Sequence, residues 1–145
     1  MSETLKPGIT LTRRIDVDRE RTISFMGDEC RVYATPLMLY DVEFACRDLL
    51  KEHIGPDKDS VGTRVELDHV GATLLGMWAE ISVTLSKVEG LAVSFDFTVR
   101  DAVENVTRRI VDRILRRPTA RVRQGAEEGN PALPTPASLT HLFGL

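Results

Sequence analysis

The hydrophobic period of this chain changes once, and that change restricts the fold more than any other feature. Leu39, Val42, Cys46, Leu49 and Leu50 recur at helical spacing, while Asp41, Asp48, Lys51 and Glu52 fall off the stripe. The spacing predicts one half-buried helix over about 36–53. Thr35-Pro36 marks its start, because threonine caps a helix and proline at the first position loses no needed donor. Gly55-Pro56 stops it, and after the polar turn 57–60 the period becomes two.

From there Val61, Thr63, Val65, Leu67 and His69 share one face of a predicted strand, with Arg64, Glu66 and Asp68 on the other. Met77, Ala79, Ile81, Val83 and Leu85 alternate with polar residues, and Glu89-Gly90 turns the chain into Leu91, Val93, Phe95, Phe97 and Val99. These two runs predict a hairpin. Arginine interleaved with β-branched residues over about 103–115 predicts a last strand, 9–17 a first one, and 32–34 a short extended stretch. A long central helix against antiparallel strands taken in sequence order is an α+β layout, a meander wrapped on a helix.

A chain of 145 residues, 42% of them hydrophobic, fills one core. The expected boundaries are a domain over 1–117 and a charged, then Pro-rich tail over 118–145. A net charge of −3 gives no general attraction to nucleic acid or anionic membrane. Cys30 and Cys46 lack metal-ligand spacing and read as thiols of a reducing compartment. No apolar leader stands at the N-terminus, and the apolar run from His69 to Ala79 is too short to cross a bilayer. The expectation is a cytoplasmic protein with no membrane partner.

Two ionisable residues break the pattern. Glu43 falls within or beside the apolar stripe of the helix, and His69 shares the inward face of its strand. A carboxylate and an imidazole meeting in a partly dry pocket hold a proton between them and activate water or a hydroxyl, for which Thr35 is a candidate. Unpaired N–H groups at the helix start would suit a developing oxyanion, so the parts fit acyl transfer. The plainer readings stand beside this: Thr35 as an N-cap only, His69 as a satisfied core residue, Glu43 as the edge of the stripe.

The segments YATPLMLYDVEFAC and SVGTRVELDHVGATLLGMW resemble the fluoroacetyl-CoA thioesterase-like family of hotdog proteins, over about Gly8 to Leu115. Their most specific parts are a threonine eight residues before a glutamate in the helix, and V-G-T followed by histidine in the next strand. The resemblance implies a hotdog homodimer with active sites at the subunit interface, an acyl-CoA substrate, and no metal or redox cofactor. It assigns the catalytic threonine, glutamate and histidine to Thr35, Glu43 and His69. It also puts substrate-contacting roles on Gly62 and on Arg113, with Arg109 as the alternative if the preceding turn is shortened.

The sequence departs from the family where Phe25 to Arg31 is shorter than the substrate lid and lacks its aromatic residues, so fluoroacetyl selectivity does not carry over. Thr107 and Val111 replace the family's Gly and His in the last strand. Two other readings compete: a non-hydrolytic acyl-CoA binder (or a dehydratase or isomerase on the same fold), and an RNA-binding module using Arg108, Arg109, Arg113, Arg116, Arg117, Arg121 and Arg123. The acidic balance and the lack of interleaved aromatics weigh against nucleic acid.

Overall fold

The computed structural model describes residues 4–102 and 106–116. Its elements are strand β1 (Thr10–Asp16), helix α1 (Thr35–Lys51), and strands β2 (Asp59–Leu67), β3 (Trp78–Glu89), β4 (Ala92–Asp101) and β5 (Val106–Arg116), with short 3-10 turns at Arg19–Arg21 and Asp28–Cys30. The expected α+β architecture holds: one helix packs on one face of a five-stranded antiparallel sheet. The expected tail, 118–145, lies outside the described residues.

The strands do not run in sequence order across the sheet. The order is β1-β3-β4-β5-β2, so β2 pairs with β5 at the far edge and not with β3. The predicted hairpin of β3 and β4 is present, with Gly90 at φ 60 in its turn, a conformation that glycine adopts without a Cβ penalty. Residues 68–77 carry the chain from the end of β2 back to the start of β3 beside β1. That crossover passes the sheet end where α1 also begins, and Thr73 is anchored there by donating from Oγ1 to Asp101 Oδ2 at 2.8 Å.

The core lies between helix and sheet, where Ile81, Val83 and Leu85 of β3 and Phe95 and Phe97 of β4 meet Val42, Cys46 and Leu50 of α1 in one cluster. Alternation on β3 and β4 is as expected, except that Leu91 sits in the turn and is exposed. Two sequence expectations fail on the helix. Its inner stripe is Met38, Asp41, Val42, Ala45, Cys46, Leu49 and Leu50, so Met38 replaces Leu39 and Asp41 is buried instead of solvated. Ala34, not Thr35, is the N-cap, and among the described residues no side chain caps the helix.

Asp41 is tolerated in the interior because it is fully paired. Arg21 donates from Nε and Nη2 to its two oxygens at 2.9 and 3.1 Å, and the Tyr33 hydroxyl donates to Oδ2. Burial and the adjacent carboxylate push the Tyr33 phenol well above its ordinary value, keeping it a donor. This cluster ties the 3-10 turn and the extended segment before α1 to the helix. Only the carboxylate is buried: the Arg21 side chain is partly exposed and its Nη1 also pairs with Asp18 at 2.7 Å, so the network is anchored by hydrogen bonds to one buried charge.

Asp41→Ala is expected to lower unfolding free energy by about 2 kcal/mol, the scale of lost hydrogen bonds to a charged group. Tyr33→Phe, which removes one hydrogen bond to a charged group, should cost about 1.5 kcal/mol. Urea unfolding followed by far-UV circular dichroism checks both, and an unchanged midpoint for Asp41→Ala would remove this network from the stability account.

Candidate functional site

Thr35 and His69 come together at the sheet end where α1 starts. Thr35 is the first helical residue, and its hydroxyl is free of capping duty because Ala34 occupies the cap. His69 lies two residues beyond the end of β2, on the 68–77 crossover, and not within the strand as the alternation predicted. Thr35 Oγ1 and His69 Nδ1 are 2.7 Å apart. The tertiary link is reinforced nearby, where the Tyr33 amide donates to the Thr73 carbonyl at 2.8 Å and so joins the segment before Thr35 to the loop carrying His69.

The pair opens into a pocket of about 630 Å³ lined by Ile23, Phe25, Val32, Val70 and Ala72 beside Thr35 and His69. Apolar walls with a few convergent polar groups are the usual make-up of a small-molecule site. Burial pulls the His69 imidazole below its ordinary 6.5, while a hydrogen bond with the Gly71 backbone works the other way. A neutral imidazole can accept at Nδ1 from the Thr35 hydroxyl, which is the geometry of a base on a hydroxyl. The helix start offers fewer donors than expected: Pro36 has no N–H, and Leu37 and Met38 both donate to the Ala34 carbonyl. The Thr35 amide is the remaining candidate toward an oxyanion.

Glu43 does not join this pair within the chain. It sits two helical turns farther along α1, and at the helical rise its Cα is about 12 Å from that of Thr35. Its partner is Arg113, whose Nη1 is 3.6 Å from Glu43 Oε1 and donates to the Glu43 carbonyl at 3.3 Å. Glu43 and His69 do not meet within one chain, because Glu43 sits two helical turns from the end of α1 that faces His69.

Gly62 faces Glu43 through an irregularity of β2. Gly62 pairs with Arg113 and Arg64 with Asp112, which leaves Thr63 as an extra residue in the ladder. The bulge reverses the parity, so Ser60 and Gly62 point inward together with Val65 and Leu67, in place of the predicted Val61 and Thr63. A Cβ on Gly62 would stand 2.2 Å from Glu43 Oε1. Glycine therefore leaves the carboxylate of the facing helix its present position, from which a Cβ would displace it.

Arg113 is 4% exposed, so it is no part of a solvated basic face. Its Nε donates to Ser60 Oγ and its Nη2 to the Ser60 carbonyl, both at 3.0 Å. The sequence carried a signal for it: Arg113 falls between Val111 and Leu115 on the inward parity of β5. The side chains of Arg108, Arg109 and Arg116, and residues Arg117, Arg121 and Arg123, lie outside the description. Beneath this cluster, burial pushes the Cys46 thiol up to about 12 against the opposing pull of Arg113, so it is neutral and unreactive as a nucleophile. Among the described residues no group of three or more His, Cys, Asp and Glu is arranged to hold a metal, and no helix is long and apolar enough to cross a membrane.

Comparison with known proteins gives this geometry its context. A fluoroacetyl-CoA thioesterase of Streptantibioticus cattleyicolor is 25% identical over 113 residues, covering 73% of this chain and 81% of that protein. A solved structure of a fluoroacetyl-CoA thioesterase superposes with a TM-score of 0.75 at 21% identity, covering 90% of this chain and 100% of that one. A hot-dog-like protein from Thermanaerovibrio acidaminovorans gives 0.72 at 19% identity, covering 88% and 94%. The helix wrapped by its antiparallel sheet is accordingly a hotdog fold. The model of the fluoroacetyl-CoA-specific thioesterase family matches residues 17–116, and the chain belongs to that family of thioester hydrolases.

Proposed function

We propose that the protein hydrolyses an acyl-CoA thioester to a carboxylic acid and free CoA, with Thr35, His69 and Glu43 as its catalytic groups. The observation that carries this reading is the 2.7 Å contact of Thr35 Oγ1 with His69 Nδ1 at the rim of an apolar pocket. The thioester carbonyl lies over Thr35, with the Thr35 amide as a donor to the oxyanion. As neutral His69 takes the hydroxyl proton, Thr35 Oγ1 bonds to the carbonyl carbon; the carbonyl–sulfur bond of the tetrahedral intermediate then breaks, the imidazolium gives its proton to the leaving CoA thiolate, and the acyl group stays on Thr35 as an ester. Water, losing a proton to Glu43, attacks that ester, and its carbon–oxygen bond to Thr35 breaks, releasing the carboxylic acid and restoring the Thr35 hydroxyl.

With about 12 Å of helix between Thr35 and Glu43, the two halves act together only across a two-fold interface, where Glu43 from one copy faces Thr35 and His69 of the other. Two features support this homodimer. Among the described residues strand β2 is an edge of the sheet with no strand on its outer side, and Tyr40 and Phe44 stack at a centroid distance of 4.5 Å on the same exposed side of α1 as Glu43 while remaining 54% and 40% exposed. A bare edge strand beside exposed aromatics is a surface that proteins normally cover.

Thiol release from a panel of short, branched and aryl acyl-CoAs tests the activity, and each of Thr35→Ala, Glu43→Ala and His69→Ala should lower turnover by about 100-fold or more while the chain stays folded. Saturable acyl-CoA binding without thiol release would instead make the protein a binding module. Refolding Thr35→Ala together with Glu43→Ala tests the interface. Random pairing under two-fold symmetry restores one intact site per heterodimer and about a quarter of wild-type activity, whereas sites contained in one chain would give none.

Gly62→Ala should keep the fold, since the crowded atoms end a flexible side chain, yet cost about 100-fold in turnover by displacing the Glu43 carboxylate. Equal turnover would mean that the carboxylate works from another position. The acid side of the rate profile is fixed by His69. The reaction needs the neutral imidazole, and burial lowers its pKa, so the acid limb should fall below 6.5. An acid limb above that value, persisting in Glu43→Gln, would contradict His69 as the base.

A further inference from the structure

We infer that Ser60 and Arg113 form a positioning device for Glu43, acting on the reaction through that carboxylate. The inference rests on the hydrolase reading for its kinetic consequences, though not for its geometry. All three guanidinium nitrogens are engaged inside the chain. Nε and Nη2 hold the Oγ and the carbonyl of Ser60, and Nη1 holds the backbone and side chain of Glu43. Two anchors on one residue fix the plane of a rigid fork, and the remaining nitrogen then has a single direction.

The burial of each group gives the order of approach. The side chains of Arg113 and Glu43 are 5% and 32% exposed, so a ligand arriving from solvent meets the carboxylate with the guanidinium behind it. Gly62, paired across the ladder with Arg113, gives the carboxylate the space that a Cβ would occupy. Ser60 is 6% exposed and on the inward face only because of the bulge that follows it. A glutamate has three rotatable side-chain torsions, and a catalytic base must be held to one of the resulting positions. Backing by a fixed cation, with the alternative space limited by the strand, accomplishes this.

The test compares wild type with Ser60→Ala, Arg113→Met and Arg113→Lys in thiol release and in binding of acetonyl-CoA, a non-hydrolysable analogue, by calorimetry. Turnover should fall about 10-fold in Ser60→Ala and about 100-fold in Arg113→Met, with KM and the acetonyl-CoA Kd changed less than about two-fold. Arg113→Lys should recover part of the loss, because an ammonium also pairs with the carboxylate. A rise in KM and Kd with kcat retained would make Arg113 a substrate contact and overturn the inference, as would full turnover in both Ser60→Ala and Arg113→Met.

Crystal structures of wild type and Arg113→Met give a readout that does not need turnover. The Glu43 carboxylate should be single in the first and displaced or split in the second. An unmoved carboxylate overturns the device. Failure of wild type to release thiol from any acyl-CoA would sink the hydrolase reading alone and leave this comparison to decide the inference.

Discussion

One extra residue in β2 decides how the helix and the sheet meet. With Val65 and Leu67 turned toward α1, strict alternation would carry Val61 and Thr63 inward and put Ser60 and Gly62 on the outer face. The irregularity between Gly62 and Arg64 exchanges the two sets. Ser60 then presents its hydroxyl and carbonyl to Arg113, and Gly62 presents a bare backbone to Glu43. A β-branched side chain at that point of the seam would occupy the space of the carboxylate and leave the guanidinium without its acceptors. The hydrophobic core does not depend on this bulge, but the polar seam does.

The seam has a counterpart on the other side of the helix. Residues 41 and 43 lie on different sides of α1, and each carries a carboxylate met by an arginine from outside the helix: Arg21 for Asp41, Arg113 for Glu43. Taking charges out of water costs several kcal/mol per ion, so neither pair is a strong source of stability. Their effect is on rotation and register. An apolar stripe on an apolar sheet face tolerates small slides and rolls, whereas a helix gripped by two charge pairs on different sides has one seating in which both are satisfied. The same seating carries Thr35 to the end of the sheet, against the crossover bearing His69.

Much of this was legible in the sequence, and the failures have physical causes. The change of period located the helix, and alternation located β3, β4 and their hairpin, because those elements face a continuous apolar core. Glu43 and His69 stood out as ionisable groups on apolar faces, and Thr35 as a hydroxyl at the start of the helix. Asp41 was misread because a carboxylate at a helical edge ordinarily faces water, and its partners Arg21 and Tyr33 are distant in pattern though adjacent in space. The placement of β2 at the far edge was hidden because strand order depends on where the crossover 68–77 runs, and a loop has no periodicity to read. The inward parity of Gly62 was hidden for a related reason: a bulge is a register event between two strands, and an isolated glycine in a strand hints at one without saying which neighbour is the extra residue.

The two halves of the candidate site differ in a way that bears on how they combine. Thr35 and His69 stand in an open pocket, where water competes for every hydrogen bond and weakens electrostatic stabilisation of an oxyanion. Glu43 is backed by a cation and a tight strand, and one edge of it is exposed beside the stacked Tyr40 and Phe44. Each half lacks what the other has: the first has a hydroxyl and a base but no enclosure, the second has a held carboxylate but no hydroxyl. On the two-fold reading, covering the aromatic side of α1 would bring the carboxylate to the hydroxyl and exclude water from both in the same event. Assembly and completion of the site would then be one equilibrium, and a substitution at Tyr40 or Phe44 would reach the chemistry without touching a reacting atom.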